Sequence, residues 1–225
     1  ELGRGSFGAV QLAVDAETGL EYAVKEFSKR RLIKKYGQQQ QQDDGLWLIR
    51  NEVAIMKKVK HPNIVKLREV LDVVGEDSLY MVLEYCRGGP LIVLKEDNSL
   101  PIDMCRKYFR QLIIGIDYLH RNMIIHHDIK PDNILLSSDR KQIKIADFGI
   151  SAIFNKQLEN NQVKQIIGSP AFLSPELILE GKSGTESDIW AMGLFISLFF
   201  FLHIVHSVRG GDSSVRWRDL YKEVS

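Results

Sequence analysis

His126-His127-Asp128-Ile129-Lys130-Pro131-Asp132-Asn133, followed by Ala146-Asp147-Phe148-Gly149, is the part of the chain on which the reading turns. A polar loop with turn residues would account for the composition of the first string. It would not account for an Asp, an Asn five residues later and an Asp-Phe-Gly beyond, all in register. These residue types suit the movement of a phosphoryl group. A carboxylate, Asp128, orients a hydroxyl and accepts its proton. An amide and a carboxylate, Asn133 and Asp147, hold Mg²⁺, a hard cation that takes oxygen ligands. Lys130 offsets charge on the transferring group.

Upstream, Gly3-Arg4-Gly5-Ser6-Phe7-Gly8 spells G-x-G-x-x-G. Alone this motif is weak, because it also occurs in dinucleotide-binding folds. There a helix must begin inside the motif so that its N-terminus meets a pyrophosphate. Here the alternating Ala9–Val14 segment follows, which reads as a strand. A glycine hairpin between strands instead lays backbone N–H groups over nucleotide phosphates, and missing side chains allow the close approach. Fifteen residues past Val10 stands Lys25, placed to reach the α- and β-phosphates if a carboxylate holds it. Glu52 is the only glutamate between Glu26 and Glu69 and falls mid-helix, so Lys25 and Glu52 are the expected pair.

Taken together, the chain resembles a eukaryotic protein kinase from the glycine loop to about Phe201. The resemblance implies an α+β fold of two lobes with ATP and Mg²⁺ between them. It implies that the backbone of Glu84 and Cys86 pairs with adenine, with Leu83 as the gatekeeper behind it. Val10, Ala23 and Leu135 would sandwich the base, and Gly3, Gly5, Ser6 and Gly8 would cover the phosphates. Met56, Leu67, Phe148 and His126 would form a spine linking the lobes. Lys130 resembles serine/threonine rather than tyrosine kinases. Three strings, Val65-Lys66-Leu67 with Glu69-Val70-Leu71-Asp72, Ile145-Ala146-Asp147-Phe148-Gly149-Ile150-Ser151, and Gly168-Ser169-Pro170-Ala171-Phe172-Leu173-Ser174-Pro175-Glu176, are similar to the calcium/calmodulin-dependent protein kinase kinases. That likeness implies a protein substrate, itself a kinase. It allows calmodulin only through a segment beyond this sequence. In the family Ser169 lies against the catalytic Asp and Lys. The alternative is a catalytically weak nucleotide-binding pseudokinase or scaffold.

Composition is that of an ordinary globular protein and its cysteine usage fits a reducing compartment, so a cytoplasmic location is expected. Thirty basic and 29 acidic residues give a net charge of +1, so no field favours nucleic acid or an anionic membrane. Two cysteines form no disulfide framework. Strands are expected at 9–14, 21–27, 65–74, 79–84, 134–136 and 143–146. Helices are expected from Asp43 and Asp44 to Val59 and from Ile102 to Asn122. On the second helix the apolar stripe is Cys105, Phe109, Leu112, Ile113, Ile116 and Leu119. The basic stretch Lys29–Lys35 has no assigned structure. Residues 36–45, with five consecutive glutamines, read as a disordered insertion. The N-lobe is expected at 1–86, a C-lobe incomplete at its end at 87–208, and a tail unlike the family at 209–225. From Ile189 to Val208 there is no charged side chain. This run reads as a core helix, apolar all round and needing cover on every side, rather than a membrane span. His127 stands where most kinases carry Arg, which removes the usual cation for docking a loop phosphate.

Overall fold

In a computed structural model of the chain, which describes residues 1–4, 8–36, 46–91, 101–149, 151–153, 169–181 and 184–209, the alternating N-terminal segments pair as one antiparallel sheet. Its strands are β1 (Gly3–Arg4), β2 (Ala9–Val14), β3 (Glu21–Ser28), β4 (Leu67–Asp72) and β5 (Ser78–Glu84), in the order β1-β2-β3-β5-β4. The turn from β2 to β3 is built by Asp15, whose Oδ1 accepts the N–H groups of Glu17 and Thr18. Register sets Val10 opposite Lys25, Ala23 opposite Leu83 and Lys25 opposite Met81. Directly opposed residues project to one side of a sheet. Val10, Ala23, Lys25, Met81 and Leu83 therefore share a face with Phe27, and Phe27 and Met81 on it are fully buried.

Two helices follow β3. Residues Lys29–Tyr36 form α1, which the sequence reading left without structure. Its start is held by a neighbouring hairpin: Asp77 Oδ1 accepts the Arg30 N–H at 2.7 Å, and Lys29 pairs with Asp72. Leu32 is buried beneath it. Helix α2 (Trp47–Lys58) buries Leu48, Ile49, Glu52, Ile55 and Met56. The expected cap at Asp43 and Asp44, and the glutamine run, lie outside the described residues. Leu46 occupies the N-cap position with no side-chain hydrogen bond.

After β5 the chain turns mainly helical. A three-stranded sheet joins β6 (Gly89–Pro90), β8 (Ile134–Leu136) and β9 (Ile143–Ile145), and β7 (Ile124–Ile125) pairs with β10 (Ala152–Ile153). Helix α3 (Ile102–Arg121) packs against β7 and β9, and α5 (Thr185–Arg209), which follows α4 (Pro175–Glu180), packs against α3. The two parts share a continuous core: Phe27, Ile55 and Met56 belong to the same buried cluster as Leu112, Ile116, Phe148 and Phe195.

One expectation needs correction. The buried face of α3 is Tyr108, Leu112, Gly115, Ile116 and Leu119, whereas Ile113 is 44% exposed. The face is rotated because the Tyr108 hydroxyl donates to the Arg140 carbonyl at 2.6 Å and because Gly115 admits Ile145. On α5, Ala191, Met192 and Phe195 are buried, whereas Ile189 and Trp190 are 55% and 43% exposed. The side chains at 198–201 and the tail at 210–225 lie outside the described residues. Among the described residues no helix is long and apolar enough to cross a membrane.

A Cβ at Gly115 would stand 2.6 Å from Ile145 Cδ1 in a fully buried layer. Gly115→Val should therefore destabilise the chain by about 1–3 kcal/mol through overpacking, read as a lower urea midpoint at unchanged slope. An unchanged midpoint would show that α3 and β9 are not packed this closely.

Candidate active site

Lys25 projects from β3 into the space between sheet and helix, 3% exposed. Its Nζ donates to Glu52 Oε1 of α2 at 2.6 Å and to Asp147 Oδ1 at 2.7 Å. The pair expected from the sequence is thus present and extends to a third element. Burial works against the Lys25 charge, but Glu52 and then Asp147 outweigh it and hold the ammonium well above its usual range. Burial, with the Asp147 charge adding, pushes the Glu52 carboxyl up against the pull of Lys25. The group is one cation between two carboxylates in a water-poor setting, where such contacts are strong.

The second cluster forms around Asp128, which is 2% exposed in the loop after β7. Its Oδ2 accepts Lys130 Nζ at 2.7 Å and Asn133 Nδ2 at 2.9 Å. Its Oδ1 accepts the Ser169 hydroxyl at 2.8 Å and the Ser169 N–H at 3.2 Å. Lys130 also donates to Ser169 Oγ at 2.7 Å, so Ser169 lies against both residues as expected. Asn133 gives its other amide hydrogen to the Asp128 carbonyl at 2.8 Å, which leaves Oδ1 as its coordinating atom. Asn133 and Asp147 are oxygen donors on adjoining elements, since Ala146 N–H donates to the Asn133 carbonyl at 2.9 Å. This donor set fits Mg²⁺, which binds through one or two protein oxygens with substrate phosphates and water completing the shell. Among the described residues no group of three or more His, Cys, Asp or Glu could hold a metal by itself.

Asp188, fully buried at the start of α5, holds the loop's backbone. Its Oδ2 accepts the His126 N–H and its Oδ1 the His127 N–H, both at 2.9 Å. His120 Nε2 lies 2.8 Å from Oδ2. Burial opposes the Asp188 charge, but the His120 hydrogen bond and then His126 and His127 hold its carboxyl below the usual range. His127 takes a left-handed φ of 66°. Burial pushes its pKa down against the pull of Asp188. His126 is buried with its ring centroid 5.0 Å from that of Phe148. Met56 and Phe148 lie in one core cluster, and Leu67 packs against it.

The residues expected around a nucleotide fall on two surfaces. Val10, Ala23, Lys25 and Leu83 share the sheet face described above. Leu135 sits half-buried on β8, opposite Lys144. Glu84 ends β5, and Cys86 follows it in the connection to β6, buried, with its thiol pushed up to about 12 by burial. Gly3 pairs with Val10. Gly8 lies so close to β3 that a Cβ would stand 1.6 Å from the Glu26 carbonyl oxygen, so only glycine fits there. Gly5 and Ser6 lie outside the described residues.

The sequence reading did not single out Lys144, Asn51 or the Asp188–His120 contact. Lys144 is 9% exposed and reaches both Glu84 carboxylate oxygens, at 2.7 and 3.0 Å, from the strand that leads to Asp147. A lysine inside the apolar run Ile143-Lys144-Ile145 was a visible signal for a buried counter-charge. Asn51 carries no such signal; its neighbour Glu52 drew the attention.

Comparison with known proteins agrees with this geometry. The sequence profile described as "Protein kinase domain" matches residues 1–218. A "probable serine/threonine-protein kinase" of Dictyostelium discoideum is 41% identical over 207 residues, covering 89% of this chain and 28% of that protein. A calcium/calmodulin-dependent protein kinase kinase of Caenorhabditis elegans is 39% identical over 217 residues, covering 88% and 40%. A serine/threonine-protein kinase of Schizosaccharomyces pombe is 36% identical over 231 residues, covering 89% and 64%. The chain thus spans between 28% and 64% of the length of these relatives. With the profile covering nearly its whole length and the Asp128 loop, lysine junction and Asp-Phe-Gly assembled as described, the chain belongs to the protein kinase family.

Proposed function

We propose that this chain catalyses transfer of the γ-phosphoryl group of ATP to a serine or threonine hydroxyl of a protein. The observation that carries the reading is Asp128, buried and held at both oxygens next to Asn133 and Asp147. The acceptor oxygen forms a bond to the γ-phosphorus, the bond to the β–γ bridging oxygen breaks, and ADP leaves. Asp128 orients the acceptor hydroxyl and takes its proton. Lys130 stands beside Asp128 and offsets charge on the transferring group. Lys25, fixed by Glu52, contacts the α- and β-phosphates, and the glycine segment around Gly3, Gly5, Ser6 and Gly8 covers them. Val10, Ala23 and Leu135 hold the adenine by apolar contact, the backbone of Glu84 and Cys86 pairs with its edge, and Leu83 lines the rear. Asn133 and Asp147 would hold Mg²⁺, which supplies positive charge against the phosphate oxygens.

The likeness to a calcium/calmodulin-dependent protein kinase kinase supports a further reading, in which the substrate is itself a kinase in the cytoplasm. A calmodulin contact would need sequence outside this chain. The division into an N-lobe at 1–86, a C-lobe at 87–208 and a distinct tail belongs to the same proposal.

Asp128→Asn should lower turnover on the order of 10²–10⁴-fold while leaving ATP affinity unchanged, because the carboxylate meets the acceptor rather than the nucleotide. Asp147→Asn should weaken Mg²⁺-ATP binding as well. Full turnover in Asp128→Asn would overturn the assignment, and absence of Mg²⁺-dependent turnover in the unaltered chain would favour a pseudokinase.

From Asp147 to Glu176 the only hydroxyl side chains are Ser151, Ser169 and Ser174. Ser151 and Ser174 are 2% and 1% exposed, and a phosphate on Ser169 would meet the Asp128 carboxylate. Phosphatase treatment should therefore leave activity unchanged. Loss of activity, with recovery mapped to one of these serines, would contradict this.

A further inference from the structure

Adjacent residues of α2 reach separate points of the chain after β9. Glu52 acts through Lys25 on Asp147. Asn51, one position earlier, donates its side-chain N–H directly to the Ser151 carbonyl at 2.6 Å. Ser151 is itself pinned on the other side. Its hydroxyl donates to the His126 carbonyl at 3.0 Å, its N–H donates to the Phe148 carbonyl at 3.1 Å, and the residues after it pair with β7. A continuous hydrogen-bonded path thus runs from α2 through Ser151 to the backbone beside Asp128.

We infer that Asn51 is a positioning residue, which fixes α2 to Ser151 and so keeps Glu52 over Lys25 and Asp147 in place. The inference rests on the kinase reading for its catalytic consequence, but not for the tether itself. Apolar packing of Leu48, Ile49, Ile55 and Met56 is not directional. The Lys25–Glu52 bond alone fixes α2 at a single polar point, which leaves freedom to rotate about it. A second anchor on the next residue, reaching a different part of the chain, removes that freedom. The tether is an amide on a backbone carbonyl, so it needs no phosphate and no bound ligand. The Ser151 hydroxyl turns inward to His126 while its carbonyl remains available to Asn51.

The test uses Asn51→Leu, which removes the donor at nearly constant volume, Asn51→Ala as a smaller deletion, and Asn51→Gln, which keeps the donor. Turnover, KM for ATP and hydrogen exchange of peptides covering 47–58 and 147–153 are measured in each. Asn51→Leu and Asn51→Ala should lower kcat about three- to tenfold, the scale of one neutral hydrogen bond, and exchange should rise in both peptides together. Asn51→Gln should restore both readouts toward the unaltered chain. If exchange rose only in 47–58, or neither exchange nor kcat changed, the tether would be overturned. If the unaltered chain transferred no phosphate but the two peptides still loosened together, the tether would stand and the catalytic reading would fall.

Discussion

A single ammonium group, that of Lys25, joins three elements that nothing in the chain order brings together. It comes from the sheet, Glu52 from α2, and Asp147 from the segment after β9. Taking away Lys25 would leave two carboxylates without their cation, at about 3–5 kcal/mol. That is a large part of a domain's stability of ~5–15 kcal/mol. The geometry is not fully satisfied: Glu52 Oε2 is buried with no hydrogen-bond partner. An orphan acceptor is tolerated only where surrounding packing holds it, and Ile49, Ile55 and Met56 of the same helix supply that packing.

The loops after β7 and β9 solve a different problem, since each holds one residue in a left-handed backbone conformation, His127 at φ 66° and Asp147 at φ 64°. Such conformations cost of order 1–3 kcal/mol each in side-chain-bearing residues. Asp188 stabilises the first by accepting both N–H groups at the loop's start. The second is stabilised by Lys25 gripping the Asp147 carboxylate. The lysine junction and the Asp188 anchor thus fix the two backbone kinks between which Asp128, Asn133 and Asp147 converge. Ser151, four residues beyond the second, donates to the carbonyl of His126, the residue before the first.

Much of this was legible because the chemistry demands fixed residue types at fixed spacings. The strands 9–14 and 79–84 follow from period and punctuation, and the structure has them within one residue; the helix before His61-Pro62 ends within one residue of its expected limit but begins only at Trp47. The Lys25–Glu52 pair followed by elimination. What was missed depends on contacts distant in sequence. Helix α1 is a basic stretch whose first turn is held by Asp77, 47 positions from Arg30. The rotation of α3 comes from Tyr108 reaching Arg140 and from a glycine whose neighbour is Ile145. Periodicity reports which side of a helix is apolar but not how closely another element approaches it. Asn51 was invisible for the same reason, since its acceptor is a backbone carbonyl and any residue type could have supplied it.

The central claim is that Lys25 is the shared counter-charge of Glu52 and Asp147. A double-mutant cycle by chemical denaturation tests it most directly, using Lys25→Met, Glu52→Gln and the two together. The account predicts that Glu52→Gln recovers part of the stability lost in Lys25→Met, because it neutralises a carboxylate left without its cation. The resulting coupling should be about 1–3 kcal/mol. Strict additivity, with the double variant losing the sum of the single losses, would contradict it.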